Sequence, residues 1–365
     1  MNHPKSVYYL AFRLMDGIGP ILARKIIESF PTVEDAFEAG PKSWLGVEGV
    51  SNKRVKDVDL KGVLNRAQSE IEAAEKNGWK IFTLEDKGFP RRLRQIPDAP
   101  LLLFGKGELS LNPSRAVGVV GTRKASQYGK HFIDDFIKDL GNLNVQVISG
   151  LALGIDTLAH RASLKNKIPT VAVMGTGLDK IYPSSNRELA IEMGKKGMLL
   201  TEFPRFTKPD RENFPQRNRI VAGMCDALVV VESAEKGGAL ITADMAFAYN
   251  RDVLAVPGRV TDPLSQGCLK LIRSQKAGVV CSAEDLKYQL GWNEVEKTSV
   301  QKSLFVELNG EEEEIMELFE RGGTLAMDEI AVQAGKKVSN CLAILMNLEL
   351  KGLIRTLPGN QFEPI

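Results

Sequence analysis

Histidine and cysteine are scarce in this chain of 365 residues, with three of the first and four of the second. Cys225, Cys268, Cys281 and Cys341 lie far apart without Cys-x-x-Cys spacing. They offer neither a zinc site nor a disulfide framework, and buried free thiols are expected. His3, His131 and His160 show no metal-ligand or triad spacing, so no metal, no cofactor and no catalytic residue is expected. His160, in Asp156-Thr-Leu-Ala-His, has no obvious acid partner and reads as structural. No apolar run approaches the ~20 residues of a membrane span, and Met1-Asn-His-Pro-Lys-Ser lacks the apolar core of a signal peptide. A cytoplasmic protein with no membrane partner is the expectation. A surplus of one charge is missing too: 48 Lys and Arg face 46 Asp and Glu, a net charge of +2. Any polyanion site must therefore be a local cluster.

What is present centres on residues 116–129, Ala-Val-Gly-Val-Val-Gly-Thr-Arg-Lys-Ala-Ser-Gln-Tyr-Gly. Val117, Val119 and Val120 form a β-branched run suited to a buried strand. Phe132, Ile133, Phe136, Ile137 and Leu140 then recur at helical spacing. The turn between them ends at a helix N-terminus, whose unpaired amides and dipole favour an anion, with Arg123 and Lys124 beside it. The pattern is neither Gly-x-Gly-x-x-Gly nor a P-loop, so an anion site and a plain strand-to-helix turn both remain open.

Strand-like runs recur at 116–120, 145–149, 170–174, 198–201, 227–231 and 252–256, with amphipathic helical stretches between them. That alternation predicts an α/β fold with a parallel, doubly wound sheet, in which ligands bind at the carboxyl ends of the strands. Before it, residues 5–60 read as short helices interrupted by Asp16-Gly-Ile-Gly-Pro and Leu45-Gly-Val-Glu-Gly-Val-Ser. The pair resembles tandem helix-hairpin-helix elements, which elsewhere grip phosphates. Glu48 within the second hairpin would repel a phosphate, leaving a structural or protein-contacting role open. After the sheet, residues 294–309 read as a linker. Three helical patterns, a strand-like Leu353-Ile-Arg-Thr-Leu and a Pro-Gly-Asn turn then outline a winged-helix domain. Its recognition helix carries Lys336 and Lys337 at its start but is otherwise mostly apolar with Glu349, which favours partner binding over base reading. The expected domains are a helical one over 1–77, a sheet domain over 78–290, a linker over 291–310 and a winged helix over 311–365.

The strand ends collect glycine and hydroxyls at one rim: Gly121-Thr-Arg-Lys-Ala-Ser, Ser149-Gly-Leu-Ala-Leu-Gly-Ile-Asp, Gly175-Thr-Gly-Leu-Asp, Thr201-Glu-Phe-Pro, Glu232-Ser-Ala-Glu-Lys-Gly-Gly and Pro257-Gly-Arg. Glycines there let backbone amides approach a phosphate closely. Phe214-Pro-Gln-Arg-Asn-Arg adds two arginines, whose planar forks suit bidentate phosphate contact.

Five ordered motifs, Gly121-Thr-Arg-x-x-Ser-x-Tyr-Gly, Ser149-Gly-x-Ala-x-Gly-Ile-Asp, Gly175-x-Gly-Leu-Asp-x-x-Tyr-Pro, Phe214-Pro-x-Arg-Asn-Arg-Ile and Ala255-Val-Pro-Gly, resemble those of the DNA-processing protein A family (DprA, also called Smf). The resemblance implies an extended Rossmann-like sheet between a helix-hairpin-helix or SAM-like front and a winged-helix tail. It also implies a homodimer that binds single-stranded DNA and hands incoming strands to the recombinase RecA in natural transformation. Carried onto this chain, it makes Arg123 the principal phosphate ligand, with Gly121, Thr122, Lys124 and Ser126 beside it. Arg217, Asn218 and Arg219 extend a basic pocket. Gly150, Gly154, Gly175, Gly177, Gly237, Gly238 and Thr242 join its lining, and Asp156, Tyr182 and Glu232 shape it. Asp156 is expected to tie down a loop.

The chain departs from the family pattern at Ser184, where a basic residue is common and Arg187 is the nearest replacement. It departs again at Gly237, Ala239 and Leu269, which bear on affinity and nucleotide contacts. Tyr128, Tyr182 and Phe214 are candidates to stack on bases, or equally core aromatics. A rival reading compares Gly237-Gly238 with Glu232 and Thr242 to nucleotide phosphoribohydrolases of related fold, although the second half of that enzyme motif is missing.

Overall fold

The computed structural model describes residues 3–292, 308–357 and 359–365, and the chain divides into two compact units, one ending at Leu290 and the other beginning at Gly291. The expected linker falls largely outside the described residues.

The first unit is built on one nine-stranded sheet. Its strands are β1 (Lys80–Thr83), β2 (Leu102–Gly107), β3 (Arg115–Val120), β4 (Val145–Ser149), β5 (Thr170–Val173), β6 (Met198–Thr201), β7 (Ala227–Val230), β8 (Asp252–Ala255) and β9 (Gly278–Val279). They lie in the order β1-β2-β6-β5-β4-β3-β7-β8-β9. From β6 to β9 every neighbouring pair is parallel, while β1 and β2 add an antiparallel edge. The central strands are apolar on both faces because helices cover both, as a parallel sheet requires. Successive residues serve opposite layers: Val171 and Val173 face one core, and Ala172 between them faces the other. The six expected strands are present to within a residue at each end, whereas two-residue β9, in the short run Ala277-Gly-Val-Val-Cys, was not expected.

The helices Lys5–Leu14, Pro20–Glu28, Val33–Trp44, Asn52–Val55 and Leu60–Lys76 precede the sheet. Pro20 opens the second at a position where its missing N–H is not needed. These helices do not close a core of their own. Tyr9, Phe12, Ile26, Trp44 and Ile71 belong to the same buried cluster as Leu102 and Phe104 of β2 and Leu199 of β6. The front that the sequence suggested as a separate domain is thus continuous with one sheet face. Glu48 of the second hairpin pairs with Lys25 at 2.7 Å, joining the hairpin to the helix after the first one.

The second unit has helices Gly310–Gly322, Met327–Gln333 and Val338–Leu350 and a small antiparallel sheet of β10 (Leu325–Ala326), β11 (Ile354–Leu357) and β12 (Gln361–Pro364), ordered β10-β12-β11. This is a winged helix. Asn309 caps its first helix, and Glu312 answers as a capping box. Ile315, Phe319, Ile330, Leu345, Leu348 and Ile354 fill its core. On the helix Val338–Leu350, Leu342, Met346 and Leu350 face outward. Lys336, one of the two cations noted at the start of the recognition helix, is taken up by Glu314 at 2.9 Å.

Candidate nucleic-acid interface

Adjacent parallel strands β3 and β7 carry the site, with Val120 opposite Val230. The chain leaves β3 toward β4 on one side and leaves β7 toward β8 on the other, so the two loops part and open a crevice at this switch point. It has a volume of about 550 Å³. Residues 120–123 form one wall, 233–242 the facing wall, and the start of the helix Asn213–Met224 closes the end.

The helix Gln127–Leu140 starts behind the first wall, and its N-terminus is already filled. Ser126 caps it, accepting from the Gly129 amide at 3.1 Å. The buried carboxylate of Glu232 accepts from the Ser126 amide at 3.0 Å and from the Ser126 hydroxyl. The anion expected at this helix start is therefore the protein's own side chain. The open helix start lies across the crevice: Gly238–Ala248 has Gly237 as N-cap with no side-chain cap, and a Cβ on Gly238 would meet nothing within 4 Å. Its free amides and dipole favour a bound anion.

Arg217 and Asp156 form the floor. The Arg217 guanidinium is buried and donates to the Val173 carbonyl at 2.8 Å, while its Nε has no partner. Gly150 makes room for it, since a Cβ there would overlap the guanidinium. Asp156 accepts from the amides of Gly150 and Ala152 at 3.1 and 3.3 Å and so holds the loop after β4. Burial raises its carboxyl above the ordinary range and lowers Arg217 from its own, each shift opposed by the other's charge. Gly154, at φ +76°, lets the next helix start against the backbone of Thr122 and Arg123, and Ile155 donates to the Thr122 carbonyl at 3.1 Å. The three strand-end loops are locked together.

Arg123 is exposed, and its guanidinium carbon lies 5.6 Å from the centre of the Phe214 ring. Phe214 in turn meets Tyr182, with ring centres 5.7 Å apart, and a Cβ on Gly175 would press on it. Arg123 lines the main crevice, a small slot of about 40 Å³ with Tyr182 and Phe214, and a third concavity of about 410 Å³. The crevice brings together Gly121, Thr122, Arg123, Asp156, Arg217, Asn218, Gly237, Gly238 and Thr242, as the sequence reading grouped them. Gly150 and Gly175 reach the slot, and Lys124 and Gly154 the third concavity.

Five residues of the expected set lie elsewhere, Glu232 among them with its carboxylate on Ser126. Arg219 turns inward, donating to Glu202 at 2.5 Å and to the Asp98 carbonyl. Ser126 serves the helix cap, Gly177 packs against Asp179 and Pro204, and exposed Arg187 starts its own helix outside the three concavities. Of the departures, Gly237 and Ala239 lie in the crevice wall. Tyr128 donates to the Pro257 carbonyl at 2.8 Å, away from the crevice lining. Two cations of the crevice, Arg211 and Lys236, were not foreseen. Lys236 lay in a strand-end stretch noted for its glycines. Arg211 stands three residues before Phe214 in a stretch with no periodicity to draw attention to it.

His160 is fully buried. Nδ1 sits 2.8 Å from the Thr170 hydroxyl, Nε2 has no partner, and burial, helped by Arg217, pushes its pKa down to about 3. Cys225, Cys268 and Cys341 are buried, and Cys281 is exposed. Among the described residues no cluster of His, Cys, Asp and Glu could hold a metal, and no helix is long and apolar enough to cross a membrane.

Residues 80–291 match the family model described as DNA recombination-mediator protein A, and residues 306–360 match a DprA winged helix domain. The chain belongs to the DNA recombination-mediator protein A family. Among its relatives, Protein Smf of Synechocystis sp. is 38% identical over 80% of this chain and 74% of its own. DNA processing protein DprA of Bacillus subtilis is 37% identical over 69% of this chain and 86% of its own. The crystal structure of Streptococcus pneumoniae DprA aligns with 79% of this chain and 99% of its own, with a TM-score of 0.64 and 32% identity. A Helicobacter pylori DNA processing protein A, described for its single-stranded DNA binding mode, aligns with 59% of this chain and 97% of its own, with a TM-score of 0.53 and 25% identity.

Proposed function

We propose that this protein binds single-stranded DNA in the crevice between β3 and β7 and, as a homodimer in the cytoplasm, delivers the strand to a RecA recombinase during DNA uptake. The observation that carries the reading is the position of Arg123, an exposed cation common to three neighbouring concavities and set over the Phe214–Tyr182 ring pair. A cation for the phosphate beside a ring for the base is what a strand with unpaired bases needs and a duplex cannot use. Arg211, Arg217 and Lys236 add charge, and Asp156, the one carboxylate lining the crevice among the described residues, is buried. Family membership and the single-strand binding described for the Helicobacter pylori relative support the same reading.

Nucleotide hydrolysis gains nothing from the geometry. A hydrolase needs a free acid or base, yet Asp156 is held by two amides, Glu232 by Ser126, and His160 is buried and neutral.

The test is fluorescence anisotropy with labelled single-stranded and duplex oligonucleotides. The wild type is expected to prefer the single strand with a steep salt dependence, and Arg123→Ala to bind roughly tenfold or more weakly, as loss of a charge-assisted phosphate contact implies. Equal binding of duplex and single strand, or an Arg123→Ala variant as tight as the wild type, would refute it. A pull-down with RecA and the mass of the free protein check the partner and the dimer.

A further inference from the structure

The third concavity, which shares Arg123 with the crevice, is also lined by Lys124, Lys130 and Arg161. Arg161 lines a fourth, of about 860 Å³, together with Lys165, Lys167 and Lys196. One face of the helix Ile155–Lys165 serves both: Thr157, Leu158 and Arg161 line the third, and Arg161, Leu164 and Lys165 the fourth. These positions recur at spacings of three and four, so they form one stripe, and from 157 to 165 it rises about 12 Å. That is about the length of two nucleotides of extended strand.

Charge along this stripe is one-sided. The two concavities hold seven cations, counting Arg161 once, and one carboxylate, Glu192, which Lys196 neutralises at 2.9 Å. In a chain with 48 basic and 46 acidic residues such a run is a local concentration. Lys165 and Lys167 are exposed and have no ion-pair partner among the described residues. The floor of the fourth concavity is apolar, made by Leu109, Leu164, Ile168 and Pro169. Cations at a rim above an apolar floor suit a polymer of phosphates and bases better than a small anion.

We propose that the fourth concavity is a second nucleic-acid site, in which the strand leaving the crevice lays its phosphodiester backbone on Arg161, Lys165 and Lys167. The inference rests on the single-strand reading of the crevice and adds to it a path and a larger footprint. Continuity decides for a nucleic acid over an acidic protein. Arg123 joins the crevice to the third concavity and Arg161 joins the third to the fourth, so a strand seated on one is passed to the next without a break in charge.

The test neutralises only the distal groove, with Lys165→Gln, Lys167→Asn and Lys196→Gln combined; all three side chains are exposed, and asparagine suits the φ of +57° at 167. Binding is measured for oligothymidylates of about 6 and about 20 nucleotides, bracketing the ~4–16 that such surfaces span. The triple variant should bind the short strand as the wild type does and lose on the order of tenfold on the long one. Its salt slope on the long strand should fall by about 1.4, since the two lost phosphate contacts, at Lys165 and Lys167, each remove ~0.7. A second triple variant with arginine at all three positions should behave as the wild type. A wild type that binds neither strand refutes the crevice reading itself. Loss by the glutamine variant on neither strand, or equally on both, overturns the second site alone. So does a variant that loses only poly-glutamate binding, which would assign the groove to an acidic protein.

Discussion

Arg219→Ala should destabilise the protein's core and spare DNA binding, although Arg219 stands two residues from Arg217 in a motif that reads as a phosphate clamp. Its guanidinium is buried, donates to Glu202 at 2.5 Å and bonds the Asp98 carbonyl, while Arg13 reaches the same Glu202 oxygen at 3.3 Å. The Glu202 side chain is 1% exposed. Removing Arg219 leaves that carboxylate with one longer, half-screened partner, and breaking a buried pair in this way costs about 3–5 kcal/mol. Against a folding stability of about 5–15 kcal/mol this is a large fraction, and it lowers the melting temperature by roughly 10 °C. Arg123→Ala is the control: an exposed side chain whose loss changes stability by no more than about 0.5 kcal/mol but weakens single-strand binding. The assay is thermal and urea unfolding of both variants beside anisotropy with a labelled strand. Arg219→Met with Glu202→Leu removes both charges at similar volume, and should recover most of the lost stability with DNA affinity unchanged. An Arg219→Ala protein that melts like the wild type but no longer binds DNA would refute the inward assignment and return Arg219 to the site.

Gly150→Ala should displace the Arg217 guanidinium, destabilise by about 1–3 kcal/mol through overpacking and weaken strand binding, both readable from the same two assays; a neutral effect on both contradicts the tight floor. Ser126→Ala removes the helix cap and a partner of Glu232, and a loss of about 1–2 kcal/mol is expected in urea melts. His160 makes stability depend on pH. Its folded pKa of about 3 lies below the unfolded value near 6.5, so the unfolded chain takes the proton first as pH falls. The contribution is whole above about pH 6.5 and is lost toward pH 3 at about 1.4 kcal/mol per unit. His160→Gln should flatten the fall in stability between pH 6.5 and 5, and an unchanged slope would show that His160 is accessible to protons when folded.

Local patterning determined a good deal of this protein. Runs such as Val117, Val119 and Val120 are readable because a buried parallel strand must be apolar on both faces, and Ile133, Phe136, Ile137 and Leu140 because a helix buries one stripe. The motif order placed Arg123, Gly150, Asp156, Arg217 and Asn218 at one rim, since the ends of parallel strands meet there whatever the loops contain. Tertiary structure alone decided which charges face the crevice. Glu232 fills the helix start at Ser126 from 106 residues away, and Arg219 is drawn inward by Glu202, Asp98 and Arg13. Arg211 and Lys236 arrive from separate loops to take the outward places. The helical front shares its core with the sheet because Leu102, Phe104 and Leu199 present an apolar face that the N-terminal helices cover together with the helix Arg187–Lys196. An arginine in a motif carries the same charge whether it turns toward solvent or toward a buried carboxylate. The partner that settles the matter lies far along the chain, and no local period reports it.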